Sequence, residues 1–110
     1  MTYATIEELL STYAGRNLLS KPWKMFLLSA EDSLELISDG LASGFLLYGF
    51  EGFHIFENQS IQPDQLLSVE SFDFYGRPEE DFTTSYLSVL ESCRSNPTIG
   101  FEVMFEARTK

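Results

Sequence analysis

The stretch from Gly44 to Phe56, GFLLYGFEGFHIF, constrains the fold more than any other part of this chain. Its apolar residues run almost without interruption, which is typical of a β-strand that is covered on both faces. Gly49 and Gly52 interrupt the run, and a residue without a Cβ permits positive φ or close backbone approach. The two glycines therefore indicate a bulge or a tight turn inside an otherwise buried strand.

Two interpretations of this interruption remain open. One is a tight hairpin with residues 50–51 at its tip, and the other is one long bent strand followed by a turn at residues 57–60. The hairpin or bulged ribbon is preferred. In either case we expect Glu51 to face solvent.

Two segments before this run have the spacing of amphipathic helices. Thr5 and Glu8 fit a capping box at the start of the first, and Ser29 fits an N-cap at the start of the second. The apolar positions expected to be buried are Ile6, Leu9, Leu10 and Tyr13 in the first helix and Ala30, Leu34, Ile37 and Leu41 in the second.

A third helix is predicted from about Pro78 onward. Three acidic residues follow this proline, where they suit the positive end of the helix dipole. The predicted buried stripe of this helix consists of Phe82, Tyr86, Val89, Leu90 and Cys93.

The remaining strands are predicted with unequal clarity. Residues 99–106 alternate apolar and polar side chains, as a half-buried strand does. Residues 21–29 suit a strand or a buried linker, and residues 66–76 suit a strand or an extended surface segment. The whole chain, residues 1–110, is thus expected to form a single α+β domain. We expect a mostly antiparallel sheet of about four to five strands, covered on one face by about three helices.

The distribution of charge is the strongest compositional signal. The chain has 7 basic and 17 acidic residues, for a formal net charge of −10. Residues 29–91 hold thirteen acidic residues against Arg77 alone, so this part carries −12, whereas each flank is slightly positive. Phosphate contacts need clustered Lys and Arg, so direct binding to nucleic acid or to an anionic membrane is disfavoured. A basic protein is the expected partner, although acidic residues also keep a small protein dispersed in water.

No arrangement in the sequence predicts catalysis. His54 is the single histidine, and no nucleophile elbow or Cys–His spacing surrounds it. Cys93 is interpreted as a core thiol, and residues 79–81 lack the spacing of a calcium loop. Glu51 and Asp73 could form an acid–base pair, but nothing fixes their distance. We therefore expect no catalytic residues, no cofactor and no metal.

The cellular setting is predicted from what the chain lacks. One cysteine cannot form an internal disulfide, which fits a reducing compartment. The first residues do not have the pattern of a secretory leader, and no run of about 18 apolar residues occurs. A cytoplasmic protein is expected, with an oligomeric state that the sequence does not indicate.

A family resemblance rests on residues 29–91, where a helix leads into GFLLYGFEGF, then IQPD, then ESFDFYG before another helix. This layout resembles immunity proteins of bacterial polymorphic and contact-dependent toxin systems. The resemblance implies a non-enzymatic protein that neutralises a cognate toxin, such as a nuclease, by binding it. Acidic and aromatic residues of this region are the predicted partner contacts: Glu51, Glu57, Asp64, Glu70, Phe72, Asp73 and Tyr75.

Two alternatives stay open. A regulatory or adaptor module could use the same acidic surface on another basic protein. A small enzyme or ligand-binding domain could be centred on His54, and its sign would be a deep pocket that contains His54 and a perturbed carboxylate.

Overall fold

The computed structural model describes residues 2–20 and 25–107, and within these ranges the chain forms three α-helices and one three-stranded antiparallel sheet. The helices are α1 (Ile6–Tyr13), α2 (Ala30–Ala42) and α3 (Glu79–Ser92). The strands are β1 (Leu46–Ile55), β2 (Ile61–Glu70) and β3 (Ile99–Glu106). The α+β class is confirmed. The sheet of four to five strands is not, because three strands account for it in the described residues.

The helices begin where the capping residues predict. The side chain of Thr5 accepts a 3.1 Å hydrogen bond from the backbone N–H of Glu8. Ser29 does the same for Asp32 at 3.1 Å, and Pro78 stands at the N-cap of α3. The starts of α1 and α2 are set by local hydrogen bonds, which explains why the sequence predicted them, whereas Pro78 makes no side-chain capping bond.

The hairpin predicted at residues 50–51 is wrong, because β1 runs continuously through both glycines and lies between β2 and β3. The alternative is confirmed: one bent strand is followed by a turn at residues 57–60. Gly49 has φ of +146° and lies at an irregularity in the pairing with β3, and Gly52 lies beside one in the pairing with β2. The glycines thus serve bulges in a strand.

Glu51 is consequently not at a loop tip. It is half-buried in the middle of β1 and pairs in register with Glu102 of β3. The expectation that Glu51 faces solvent therefore holds only in part.

The predicted strand at residues 66–76 is also corrected. Its first half belongs to β2, and its second half is the 3-10 turn Ser71–Phe74. Pro63 lies inside β2, where a proline is tolerated because β2 is an edge strand. Of the strand predicted at residues 21–29, residues 21–24 lie outside the described part, and Leu28 makes one antiparallel bridge to Phe101.

Two hydrophobic clusters cover opposite faces of the sheet. The larger packs the helices on Phe50 of β1 and Phe101 of β3. The smaller surrounds Phe53, three residues beyond Phe50 in a regular part of the pairing with β3, and therefore on the other face. Leu19 and Leu27 cover it, so the second face is shielded by the chain between α1 and α2. The helices thus lie on one face, as predicted, and β1 is covered on both faces, as its apolar run indicates.

Helix α2 buries Ala30 and Ile37 of its predicted stripe and packs Leu34 partly against the core, but it departs from the stripe at two positions. Leu36 is fully buried, whereas Leu41, which was expected in the core, is 46% exposed. The helix contacts α1, α3 and the sheet, so more than one of its faces is covered. Gly40 lies against the ring of Phe105, which brings the helix close to β3.

Candidate binding surface

Residues 71–78 connect β2 to α3, and one aromatic ring fixes them to the core. Phe74 packs against Phe82 with ring centroids 5.6 Å apart, and Phe82 packs in turn against buried Tyr86 at 5.2 Å. The guanidinium of Arg77 lies 4.8 Å from the centroid of the Phe74 ring. Phe74 is therefore the structural aromatic residue of this segment.

Two other aromatic side chains of the same segment project into solvent. Phe72 is 75% exposed and Tyr75 is 91% exposed. Burying a ring of this size would stabilise a complex by about 1.5–3 kcal/mol, whereas here the rings contribute little to the core. Exposed aromatic residues of this kind are enriched among the residues that dominate protein–protein affinity.

Carboxylates flank these two rings in sequence. Within the described residues, none of the four acidic residues nearest to them in sequence forms a salt bridge with a described cation; these are Glu70, Asp73, Glu79 and Glu80. Arg77 is engaged by Asp81, with Nη2 3.1 Å from Oδ2. We call Glu70, Phe72, Asp73, Tyr75, Glu79 and Glu80 the acidic–aromatic surface.

Four of the seven predicted contacts lie on this surface: Glu70, Phe72, Asp73 and Tyr75. The other three lie elsewhere in the sheet or its turn. Glu57 is in the turn at the opposite end of β2, and Glu51 lies on the central strand, two residues from Gly49, which pairs with Glu70. Asp64 is committed to internal hydrogen bonds.

Asp64 organises an irregularity of β2. Its Oδ2 lies 2.8 Å from Nε2 of His54, and its Oδ1 accepts a 2.9 Å bond from the backbone N–H of Leu66. The hydrogen bond with His54 and the backbone bond of Leu66 hold the pKa of Asp64 below its usual value. Asp64 therefore has a structural role whether or not a partner touches it.

Glu51 and Glu102 form a pair of like charges on neighbouring strands. Burial first, and the nearby Glu51 carboxylate second, raise the pKa of Glu102 above its ordinary value. Like charges directly opposite one another destabilise a sheet. The pair is not part of the acidic–aromatic surface.

His54 is half-exposed and is oriented by Asp64. Three shallow clefts with volumes of about 260, 430 and 600 Å³ lie elsewhere on the described part of the molecule, and His54 lines none of these three. The arrangement can fix the imidazole in place, but the residues around it supply no hydrogen-bonded nucleophile within the described ranges.

Sequence reasoning missed one exposed residue. Leu66 is 87% exposed, next to Leu67, which packs on the core. The neighbouring Pro63, Asp64 and Ser68 were a signal of irregular backbone, but the sequence LLSV reads equally well as a buried strand.

No protein-family model, curated protein or solved structure matches this chain. Among the described residues, no helix is both long and apolar enough to cross a bilayer. In the same ranges, no three side chains of His, Cys, Asp or Glu are grouped as ligands for a metal ion.

Proposed function

We propose that this chain is a non-enzymatic binding protein of the bacterial immunity class, which neutralises a cognate toxin by covering a basic surface of that toxin. The supporting observation is the exposure of Phe72 and Tyr75, which carboxylates flank in sequence, while Phe74 between them packs against Phe82. The acidic–aromatic surface is the contact region of this proposal.

Charge and apolar area have separate tasks on such a surface. The carboxylates attract a basic partner from a distance and raise its association rate by about 10- to 1,000-fold. The two rings supply area that loses contact with water in the complex, and so slow dissociation. A nuclease fits this chemistry, because it holds nucleic-acid phosphates with the Lys and Arg side chains that an acidic inhibitor can cover.

Toxin neutralisation in bacterial cells tests the proposal. The probe is the C-terminal domain encoded by the reading frame that neighbours this gene, produced from an inducible promoter. Co-production of this chain should restore growth, and the double variant Phe72→Ala/Tyr75→Ala should restore it poorly. Phe56→Ala is the matched control, because Phe56 is 46% exposed in the connection between β1 and β2, away from residues 70–80 along the chain. A neighbouring domain that is harmless, or toxicity that this chain does not relieve, would contradict the proposal.

The His54–Asp64 pair favours a second candidate, a small catalytic or ligand-binding site. A carboxylate that orients an imidazole is a recurring feature of general-base catalysis. We place this candidate second because both oxygens of Asp64 already hold neighbouring structure. The conservative change His54→Gln keeps an amide donor for Asp64, and loss of neutralisation in that folded variant would favour a role for His54 in function.

A further inference from the structure

The irregularity of β2 presents a leucine to solvent. Gly52 pairs with Asp64 and Phe50 pairs with Val69, so one residue of β1 lies opposite four of β2. We call these four, residues 65–68, the β2 bulge. Leu66 lies within it and is 87% exposed.

Side chains build this bulge from both ends. Asp64 binds the N–H of Leu66, and Ser68 Oγ donates to the Asp64 carbonyl at 3.0 Å. The same Ser68 hydroxyl accepts a 3.1 Å bond from the backbone N–H of Gly52. Gly52 is required beneath it, because a Cβ there would lie 2.7 Å from the carbonyl oxygen of Leu67. The bulge is thus a fixed shape.

This shape limits how a partner can use the β2 edge. Pro63 has no N–H to offer, and the bulge breaks the row of backbone groups that an added strand would need. Protection of an edge accounts for a bulge, but a polar side chain at its exposed position would serve that purpose as well as leucine. Because the side chain of Leu66 buries so little apolar area, it contributes almost nothing to the stability of the fold.

We propose that Leu66 is a third anchor of the acidic–aromatic surface, and that the partner docks on side chains along the β2 edge without adding a strand. This inference rests on the proposed function. Tyr75 is nine positions after Leu66, so their Cα atoms can be at most about 30 Å apart. A standard interface of about 800 Å² on each partner spans a similar distance, so one partner can contact all three anchors.

The occupant that fits is a basic folded protein with an apolar pocket beside its cationic surface. The carboxylates of Glu70 and Asp73 lie in sequence between Leu66 and Tyr75, and neither forms a salt bridge with a described cation. An acidic protein, including a second copy of this chain, would meet like charge there.

Equilibrium binding to the toxin domain encoded by the neighbouring reading frame tests the inference. Leu66→Ser is compared with Leu87→Ser, which changes a 39% exposed leucine on α3, and with Tyr75→Ala. Leu66→Ser should weaken binding at least about 10-fold, as loss of a buried leucine contact does, and Leu87→Ser should stay within about 2-fold. Unchanged unfolding midpoints for both serine variants complete the expected result.

The outcomes separate the two proposals. If wild type binds, Tyr75→Ala binds weakly and Leu66→Ser binds like wild type, the proposed function stands and the role of Leu66 is overturned. If wild type does not bind, both are overturned. Sedimentation of the chain alone tests whether a second copy occupies this edge. A dimer that Leu66→Ser dissociates would show that it does, and would overturn the inference.

Discussion

His54 and Asp64 are joined across the central strand and the edge strand by a hydrogen bond of 2.8 Å between Nε2 and Oδ2. The second oxygen of the same carboxylate holds the N–H of Leu66. Asp64, which the sequence suggested as a partner contact, therefore helps to fix the conformation of the β2 bulge.

Asp64 should make stability depend on pH. Its pKa is lower in the folded chain, so its contribution is present above the unfolded value of about 3.9 and is lost as pH falls through the folded value. Asp64→Asn should therefore lower the urea midpoint at neutral pH, and the difference from wild type should shrink as the solution is acidified below about pH 4. Asp73→Asn is the control, because Asp73 makes no side-chain hydrogen bond to another described residue. A difference between wild type and Asp64→Asn that stays constant with pH would contradict this role.

Replacing Gly49 or Gly52 with alanine should lower the unfolding free energy. Gly49 has φ of +146° and a Cβ there would overlap the carbonyl oxygen of Val69, whereas Gly52 lies under Leu67. We expect each alanine variant to lose about 1–3 kcal/mol of unfolding free energy, with Gly49 at the upper end because strain and overlap combine. Gly15→Ala is the matched control, since a Cβ at Gly15 meets nothing within 4 Å. Chemical unfolding measures all three, and a neutral effect of Gly49→Ala would contradict the bulge geometry.

The Glu51–Glu102 pair should destabilise the sheet at neutral pH. Glu51→Gln removes one of the two like charges, so it should raise the unfolding free energy by about 0.2–1 kcal/mol, a small value because water screens the pair. The pKa of Glu102 is raised in the folded chain, so this gain should vanish as pH falls below the unfolded value of about 4.3. Glu57→Gln in the exposed turn should show no such gain. A loss of stability in Glu51→Gln at neutral pH would contradict the assignment.

Phe74 should contribute to the stability of the fold, whereas Phe72 and Tyr75 should not. Phe74→Ala should lower the unfolding free energy by somewhat less than the about 3–5 kcal/mol of a fully buried phenylalanine, because its ring is half-buried. Phe72→Ala and Tyr75→Ala should each stay within about 0.5 kcal/mol, as surface changes do. Thermal unfolding of the three variants measures this, and a large loss of stability in Tyr75→Ala would show that its ring belongs to the fold.

The sequence predicted the helices better than the sheet, for a physical reason. Thr5 and Ser29 cap helices through bonds to residues three positions away, so the signal is local. Glycines such as Gly49 and Gly52 are expected equally in a hairpin turn and in a bulged strand, so they do not distinguish these two structures. Only the pairing of β1 with two other strands decides between these alternatives.

The candidate surface was predicted in its residue types and not in its geometry. Sequence placed Phe72, Phe74 and Tyr75 together, but it could not say which ring points inward, since packing against Phe82 decides that. The exposure of Leu66 was not predicted, because the bonds that hold Asp64 to His54 and Ser68 to Gly52 form only after β1 and β2 pair.

Association kinetics with the toxin domain, measured by stopped flow over a range of salt concentrations, test the proposed surface most directly. The double variant Glu70→Lys/Asp73→Lys is compared with Glu31→Lys/Glu57→Lys, which changes net charge equally but lies elsewhere. If the acidic–aromatic surface meets a basic partner, the first variant should associate at least about 10-fold more slowly at low salt and with a flatter salt dependence, and the second should change much less. Equal association rates for the two double variants would contradict binding at this surface.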